Sequence, residues 1–506
     1  MRYFILLILA ITSAVAQPRT VGLLSQDRSS SFDGYTLFAP VASRNTYLIN
    51  NDGQVVKWWS SPTPPGQAVM LLEDGTLLRT GAPQIQAMGG GGAGGTVEKI
   101  AWDGTVIWKF DHYGQNYRSH HDVEVLPNGN ILLLVWESHT VSEALAAGRL
   151  QSRLVENALW SERVIEVKQT GPTSGEIVWS WNSWDNLVQD VDPSKANYGV
   201  VNERPDRIDI NAGGNRSDWL HANSVRYNPV RDEVMISIHN LHEIWIISRK
   251  TGKMVYRWGN PLIYKSGAVA QQRLWGQHDA RWLPDDWNRV MIFNNGIGRP
   301  GGNASSVDVI ELPVEKDGTY RRSGTSAYEP AQASVAYPPT LSNKFFGQNI
   351  SGATRLPNGN TLSCLGPSGT FIETTSDNRE VWRYVNPVSQ TGIAKQGETP
   401  RNNMVFKIYR YPKDYSAFEG KTLKSLGFIE DGGPLSVSDF NPNNDVSIVI
   451  DHFNQVARVS ITNAGPYAFS AYDLLGRHLG VIYSGECAQG DHTFDIPRGT
   501  MIVVRQ

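Results

Sequence analysis

The sequence predicts an all-β chain: a six-bladed β-propeller followed by a small C-terminal β-sandwich. Three observations predict it. The first is a hairpin phrase that recurs as "YLINNDGQVVKWW" from Tyr47, "VEKIAWDGTVIWKF" from Val97, "VIEVKQTGPTSGEIVWSW" from Val164, "IWIISRKTGKMVYRW" from Ile244 and "TFIETTSDNREVWRY" from Thr370. Its turns carry Asp-Gly and related pairs that accept positive φ, and its flanks carry the Val, Ile and Trp that suit strands. The second is a companion hairpin, "QAVMLLEDGTLLRT", "HDVEVLPNGNILLLV", "HDARWLPDDWNRVMIF" and "SGATRLPNGNTLSCL". Two hairpins make a four-stranded module, and such modules without intervening amphipathic helices point to a propeller. The third is a change of style after Gly432, where short alternating strands continue without either phrase.

A degenerate copy, "VDVIELPVEKDGTYRRSG", brings the blade count to six over residues 34–420. The first blade is expected to begin near Gly34 and the sixth to end near Phe418, with "GYTLFAP" closing the ring. Residues 432–506 form the separate sandwich. The run "MGGGGAGG", Met88 to Gly95, reads as a flexible connector between blades, with an anion cradle as the alternative. The Asn- and Asp-rich insertion Asn182 to Arg216 is expected to overhang one face as a lid or substrate wall.

Composition bounds the rest. Residues 1–17, MRYFILLILAITSAVAQ, have the basic start, apolar run and small-residue end of a secretory signal, so the protein is expected to be exported. No later stretch approaches the roughly 18 consecutive apolar residues of a spanning helix, and no integral membrane segment is expected. A net charge of -3 on 506 residues gives no reason to expect nucleic acid as partner. Cys364 and Cys487 are the only two cysteines, too few for a disulfide scaffold.

Aligning the companion hairpin on its turn places histidine at one repeat position. His121 and His278 each stand five residues before the Leu of "LP", and His221 of "DWLHANSVRYNP" falls at the matching place within a residue. Gln67 and Ser351 hold that position in the first and fifth blades. A lone strand histidine is usually a buried side chain bonded to a carbonyl. Three at one level, from 11 in the chain, point instead to a cluster at the propeller axis. Neighbours on a strand face opposite ways, so His120 is expected to face away from His121 or to back it up.

Two chemistries use converging imidazoles. One is a Zn or Cu site. The other is group transfer, in which one neutral His attacks while others, with donors such as Asn223, move protons or neutralise charge. No GxSxG or P-loop pattern is present, and no pair of carboxylates stands out as a glycosidase would require.

The ordered set "SHHDVEVLPNGN", "DWLHANSV", "SIHNLHEIW", "WGQHDARWLP" and "IFNNGIGRPGG" resembles the bacterial arylsulfate sulfotransferases over roughly residues 34–420. The resemblance implies a six-bladed enzyme of the periplasm or cell exterior that moves a sulfuryl group from an aryl sulfate donor to a phenolic acceptor. It implies a sulfohistidine intermediate and no nucleotide donor, cofactor or metal. By motif the nucleophile falls on His278 and the supporting histidines on His221 and His121. Where such relatives carry an Arg, "SIHNLHEIW" places His239, which lacks the fixed fork and permanent charge of a guanidinium. Arg299 and Asn223 are then the expected substrate donors, with His120 beside them. A catalytically degenerate propeller that binds a ligand or partner is the alternative. The tail, with "AYDLLGR" and "IPRGTMIVVRQ", resembles sorting domains of type IX-secreted proteins, which implies secretion machinery as a partner.

Overall fold

The computed structural model describes residues 19–431, apart from 285, 339, 342 and 343, and six strands between 446 and 505. The expected signal segment and the start of the tail at 432–445 lie outside the described residues.

Six antiparallel sheets form the six-bladed propeller. Blade 1 comprises Pro65–Leu71, Leu77–Gly81, Thr96–Ile100 and Val106–Asp111. Blade 2 comprises Tyr117–Val125, Ile131–Thr140, Ala158–Gly171 and Ser174–Asn182. Blade 3 comprises Ala222–Asn228, Glu233–Ile238, Glu243–Ser248 and Met254–Trp258. Blade 4 comprises His278–Leu283, Asp286–Asn294, Ser306–Glu311 and Ser334–Tyr337. Blade 5 comprises Gly352–Arg355, Thr361–Leu365, Thr370–Thr374 and Glu380–Val385. Blade 6 joins the two ends of the propeller: Tyr409–Pro412 pairs with Gly34–Phe38, followed by Asn45–Ile49 and Val55–Ser60. The "GYTLF" strand therefore closes the ring as the sequence predicts.

Two expectations change. The hairpin from Tyr47 shares a sheet with Tyr409–Pro412, not with the Gln67 strand that follows it. The companion hairpin is thus the inner half of blades 1, 2, 4 and 5, the tryptophan-rich hairpin the outer half of every blade but the fourth, and the degenerate copy at Val307 begins in the third strand of blade 4. The sheet strands also start earlier than Gly34, because Gly22–Gln26 adds a fifth strand to the edge of blade 5.

The recurring outer-strand tryptophan has a structural cause. Trp59 Nε1 donates to the Ala101 carbonyl, Trp108 to Ser174, Trp179 to Arg249, Trp258 to Pro330 and Trp382 to Asn51. In each case the indole reaches the outer part of the next blade around the ring. It fills the wedge between blades with apolar surface while satisfying its own N–H. Blade 4 ends in Tyr337 and lacks this contact, which explains why its phrase is degenerate in the sequence.

The C-terminal strands form two three-stranded antiparallel sheets, Val446–Asp451 with Val456–Ile461 and Gly490–Asp495, and Gly465–Asp473 with His478–Cys487 and Thr500–Arg505. Phe469 of one sheet meets Phe494 of the other at 5.2 Å between centroids. This is the expected small sandwich. Cys364 is a free, buried thiol in blade 5.

Candidate active site

The first strand of each blade lines the axis, and the strands of blades 1 to 5 lie against one another in sequence. At the predicted repeat position the backbone is left-handed: Gln67 has φ 106°, His121 49°, His221 54° and Ser351 84°. In blade 4 the left-handed residue is one later, Asp279 at 50°. Non-glycine residues seldom adopt this conformation, and such strain concentrates where a side chain is aimed for use. The ladders of blades 1 to 4 are bulged at the same place. A bulge re-aims side chains that strict alternation would send to opposite faces.

Four imidazoles form a contiguous row. Ring centroids are 4.7 Å apart from His121 to His221, 5.4 Å from His221 to His239 and 5.3 Å from His239 to His278. His239, from the short helical turn His239–Leu241 of blade 3, sits between two members of the predicted set. His221 and His239 of this row line a cleft of about 380 Å³ together with Gly89–Gly91, Glu156, Trp160, Arg216, Asp218 and Asn240, while the buried His121 and His278 stand outside its lining.

Hydrogen bonds assign the protons. Asn295 Nδ2 donates to the Gly347 and Ile350 carbonyls at 2.7 and 3.0 Å, which turns its Oδ1 toward His278 Nδ1 at 2.8 Å. The Gly276 carbonyl is a second acceptor for that nitrogen at 3.1 Å. His278 Nδ1 therefore carries the proton and Nε2 a lone pair. Burial, then the neighbouring His239, holds the His278 pKa well below the ordinary imidazole value, so this ring is neutral at pH 7. His239 is fixed the same way. Asn240 Nδ2 donates to the Asp218 carbonyl and its Oδ1 accepts from His239 Nδ1 at 2.8 Å, and burial lowers the His239 pKa to about 4. Its Nε2 also presents a lone pair.

His221 differs. Its Nδ1 lies 2.5 Å from Asp218 Oδ2. Burial opposes charge on this ring, but the Asp218 hydrogen bond and charge, with Glu162 behind, outweigh it and raise the pKa. His221 is thus the ring of the row that most readily takes a proton, among rings whose burial keeps them neutral.

His121 is buried, the face of its ring packed on the glycine run. A Cβ at Gly92 would lie 2.1 Å from His121 Nε2, and the backbone there has φ 79°. The run is a loop inside blade 1, between Leu77–Gly81 and Thr96–Ile100, not a connector between blades. Arg118 holds it by donating to the carbonyls of Gly94 at 3.0 Å and Ala87 at 3.2 Å.

Three expected binding residues stand elsewhere. His120 is buried behind His121, its Nδ1 2.8 Å from His121 Nδ1 and its Nε2 2.9 Å from Glu162 Oε2, with the ring stacked on Trp136 at 4.1 Å. Asn223 is fully buried and donates to the Gln277 carbonyl at 2.7 Å, steadying the strand that begins at His278. Arg299 donates to Ser306 Oγ at 2.9 Å and lies over Trp275, outside the cleft lining. The guanidinium in the cleft is Arg216, the last residue of the predicted wall insertion, 3.4 Å from Glu156.

Deeper in the channel lies a buried ion cluster. Arg226 bridges Asp122 and Asp279 at 2.7 Å each, Arg281 reaches Asp279 at 2.6 Å, and Lys407 pairs with Asp122. It ties blades 2, 3 and 4 to the strap leading into blade 6. The Asp that follows each of His121 and His278 belongs to this cluster.

Sequence reasoning missed Asp218, Asn295, Asn240 and Glu162. The first three stand inside quoted motifs: three residues before His221, at the second Asn of "IFNNG", and directly after His239 in "SIHNLHEIW". Glu162 carries no local signal, since only folding brings it to His120. Among the described residues, no group of three or more His, Cys, Asp or Glu is arranged to hold a metal ion.

The model of the arylsulfotransferase (ASST) family matches residues 26–391. No curated protein matches the chain. Among solved structures it is similar to a protein of unknown function from Bacteroides caccae, at 12% identity and TM-score 0.38, covering 75% of this chain and 99% of that one. It is also similar to a periplasmic gluconolactonase of Pseudomonas aeruginosa, at 13% and 0.36, covering 92% and 100%. A virginiamycin B lyase from Staphylococcus aureus matches at 11% and 0.35, covering 73% and 85%.

Proposed function

The chain belongs to the arylsulfotransferase family, and from that premise we propose that it moves a sulfuryl group from a phenolic sulfate ester to an acceptor phenol through a sulfohistidine on His278. The observation that carries this reading is the proton assignment at His278. Asn295 occupies Nδ1, and burial keeps the ring neutral, so Nε2 offers a lone pair in a row whose next rings are His239 and then His221. In the first half-reaction an N–S bond forms at Nε2, the S–O bond to the aryl group breaks, and the electron pair leaves on the phenolate oxygen, which is then protonated. Charge on the sulfuryl oxygens is met by the His221 imidazolium, held by Asp218 as a carboxylate holds the histidine of a hydrolase triad. Trp160 offers a flat apolar face to the aryl ring.

His239 is assigned a different task from the one its place in the motif implied. A neutral ring with its proton on Nδ1 presents a lone pair at Nε2, which repels a sulfuryl oxygen and accepts a proton from a phenol. We assign it to the acceptor half-reaction, as base for the incoming phenol. The charge that an Arg would bring is supplied by His221 and, at the cleft rim, by Arg216.

Incubation with 4-nitrophenyl sulfate tests the reading. The expected result is a mass gain of one SO3 group on the peptide containing His278, absent in His278→Asn, with nitrophenol release lost in the variant. Binding of the ester without release would support the ligand-binding alternative instead. The layout of residues 1–17 and the likeness of the tail to sorting domains support export with secretion machinery as partner, and N-terminal sequencing of the mature protein tests the cleavage.

A further inference from the structure

His120 is the one ring in the site with both nitrogens committed to other titratable groups. Its Nε2 is 2.9 Å from Glu162 Oε2 and its Nδ1 is 2.8 Å from His121 Nδ1. Glu162, His120 and His121 are all buried, and Trp136 stacked on His120 holds the middle ring in plane. Glu162 reaches the ring from the third strand of blade 2, across the strand between them, and its Oε1 accepts the Ala222 N–H at 2.7 Å. Two nitrogens facing each other share one proton, so the tautomer of His120 dictates that of His121.

We propose that Glu162, His120 and His121 form a proton relay, in which the Glu162 carboxylic acid is the reservoir for the proton that His121 Nε2 delivers to the departing phenolate. The proposal rests on the transfer chemistry above and names the path it left open. In the resting state Glu162 Oε2–H donates to His120 Nε2, His120 Nδ1–H donates to His121 Nδ1, and His121 carries its proton on Nε2. When the S–O bond breaks, the phenolate takes the Nε2 proton. His121 Nδ1 takes the proton of His120 Nδ1, and His120 Nε2 takes the proton of Glu162, which becomes a carboxylate. In the second half-reaction the acceptor phenol gives its proton to His239, and exchange with solvent returns a proton to the Glu162–His120–His121 chain as His239 loses its own, so no proton is gained or lost over the cycle.

The electrostatics agree with that resting state. Burial, with the Asp218 charge adding to it, raises the Glu162 pKa well above the carboxylate range, although the Ala222 N–H, the His221 charge and Trp136 oppose this. Burial lowers His120 and His121 well below the imidazole range, and His221 adds to the effect on both. Arg118 on the same strand also disfavours charge on His120, while Asp218 opposes it. A neutral acid beside two neutral imidazoles is the arrangement in which protons shift without creating a buried charge pair at rest. Glu162 and His120 touch no substrate and act only through His121.

The test is Glu162→Gln in the full-length protein, assayed on phenyl sulfate and on 4-nitrophenyl sulfate. Glutamine keeps an acceptor for Ala222 N–H and a donor for His120 Nε2 but has no proton to give. The expected result is a loss of about 100-fold in kcat on phenyl sulfate, the lower end of what positioned acid catalysis supplies, and at most a few-fold loss on 4-nitrophenyl sulfate, whose phenolate leaves unprotonated. Equal losses on the two esters, or none on either, overturn the relay and leave the transferase reading standing. A wild type that releases no phenol from either ester overturns both. A second measurement needs no variant: in wild-type protein labelled with 15N-histidine, a through-bond coupling is expected between the Nδ1 atoms of His120 and His121, and its absence overturns the relay.

Discussion

Replacing Asp218 by Asn removes the charge that distinguishes His221 from its neighbours while keeping a side-chain acceptor for Nδ1–H. The size of the effect follows from the geometry. Two unit charges about 4 Å apart attract by about 4 kcal/mol at an effective dielectric of about 20. Solvent reaches both partners, whose side chains are 18% and 24% exposed, and screens part of this. Some 2 to 3 kcal/mol remains, which at about 1.4 kcal/mol per tenfold corresponds to a 30- to 150-fold fall in kcat near neutral pH. The pH profile carries the sharper test. His221 has a raised pKa, so its charge is present at lower pH and lost as pH rises through that value. It sets the basic limb of the rate. His239, at about 4, and His278, held lower than an ordinary imidazole, set the acid limb. Nitrophenol release followed from about pH 4 to pH 10 should therefore show the basic limb of Asp218→Asn displaced toward acid, with the acid limb moved much less, since Asp218 is a minor influence on His239. A uniform loss at every pH, or an unmoved basic limb, would refute the assignment of charge to His221.

Three further outcomes follow from the same contacts. Asn295→Leu leaves only the Gly276 carbonyl, at 3.1 Å, to hold the proton on His278 Nδ1 and removes the amide donor to the Gly347 and Ile350 carbonyls; kcat should drop by about 10²- to 10⁴-fold as the nucleophile shifts to the wrong tautomer, and retention of activity in the folded variant counts against Nε2 attack. Gly92→Ala places a methyl against the His121 ring at a left-handed φ; circular dichroism should stay native while turnover falls at least about tenfold, because a small misplacement of reacting groups is amplified in rate. Arg226→Met leaves Asp122 and Asp279 facing each other without their shared partner; the urea midpoint should fall by an amount equivalent to about 3 to 5 kcal/mol, and an unchanged midpoint would show that Lys407 and Arg281 suffice.

Much of the architecture was legible because a propeller writes each blade twice, once as an inner hairpin with "LPNG" turns and once as an outer hairpin ending in Trp. The phase of the repeat was not legible. Sequence order puts the Tyr47 hairpin with Gln67, whereas ring closure pairs it with Tyr409–Pro412, more than 340 residues away along the chain. The degenerate copy at Val307 was readable as a blade, and the structure supplies the reason for its degeneracy in the missing indole contact.

At the site, chain order and repeat register together placed His121, His221 and His278 near one axis, because equivalent positions in a propeller are related by rotation. The sequence also marked His239 through the motif it interrupts. What only the tertiary structure decided is the state of each ring. Asn295, Asn240, Asp218 and His120 each occupy an Nδ1; the last three stand within three residues of the ring they hold, but what orients the partners, such as the Gly347 and Ile350 carbonyls that turn Asn295 and the Glu162 carboxyl behind His120, comes from distant segments. A sequence repeat conveys which positions converge. Which nitrogen carries the proton depends on how each partner is turned and how deeply each ring is buried, and that is settled by folding alone.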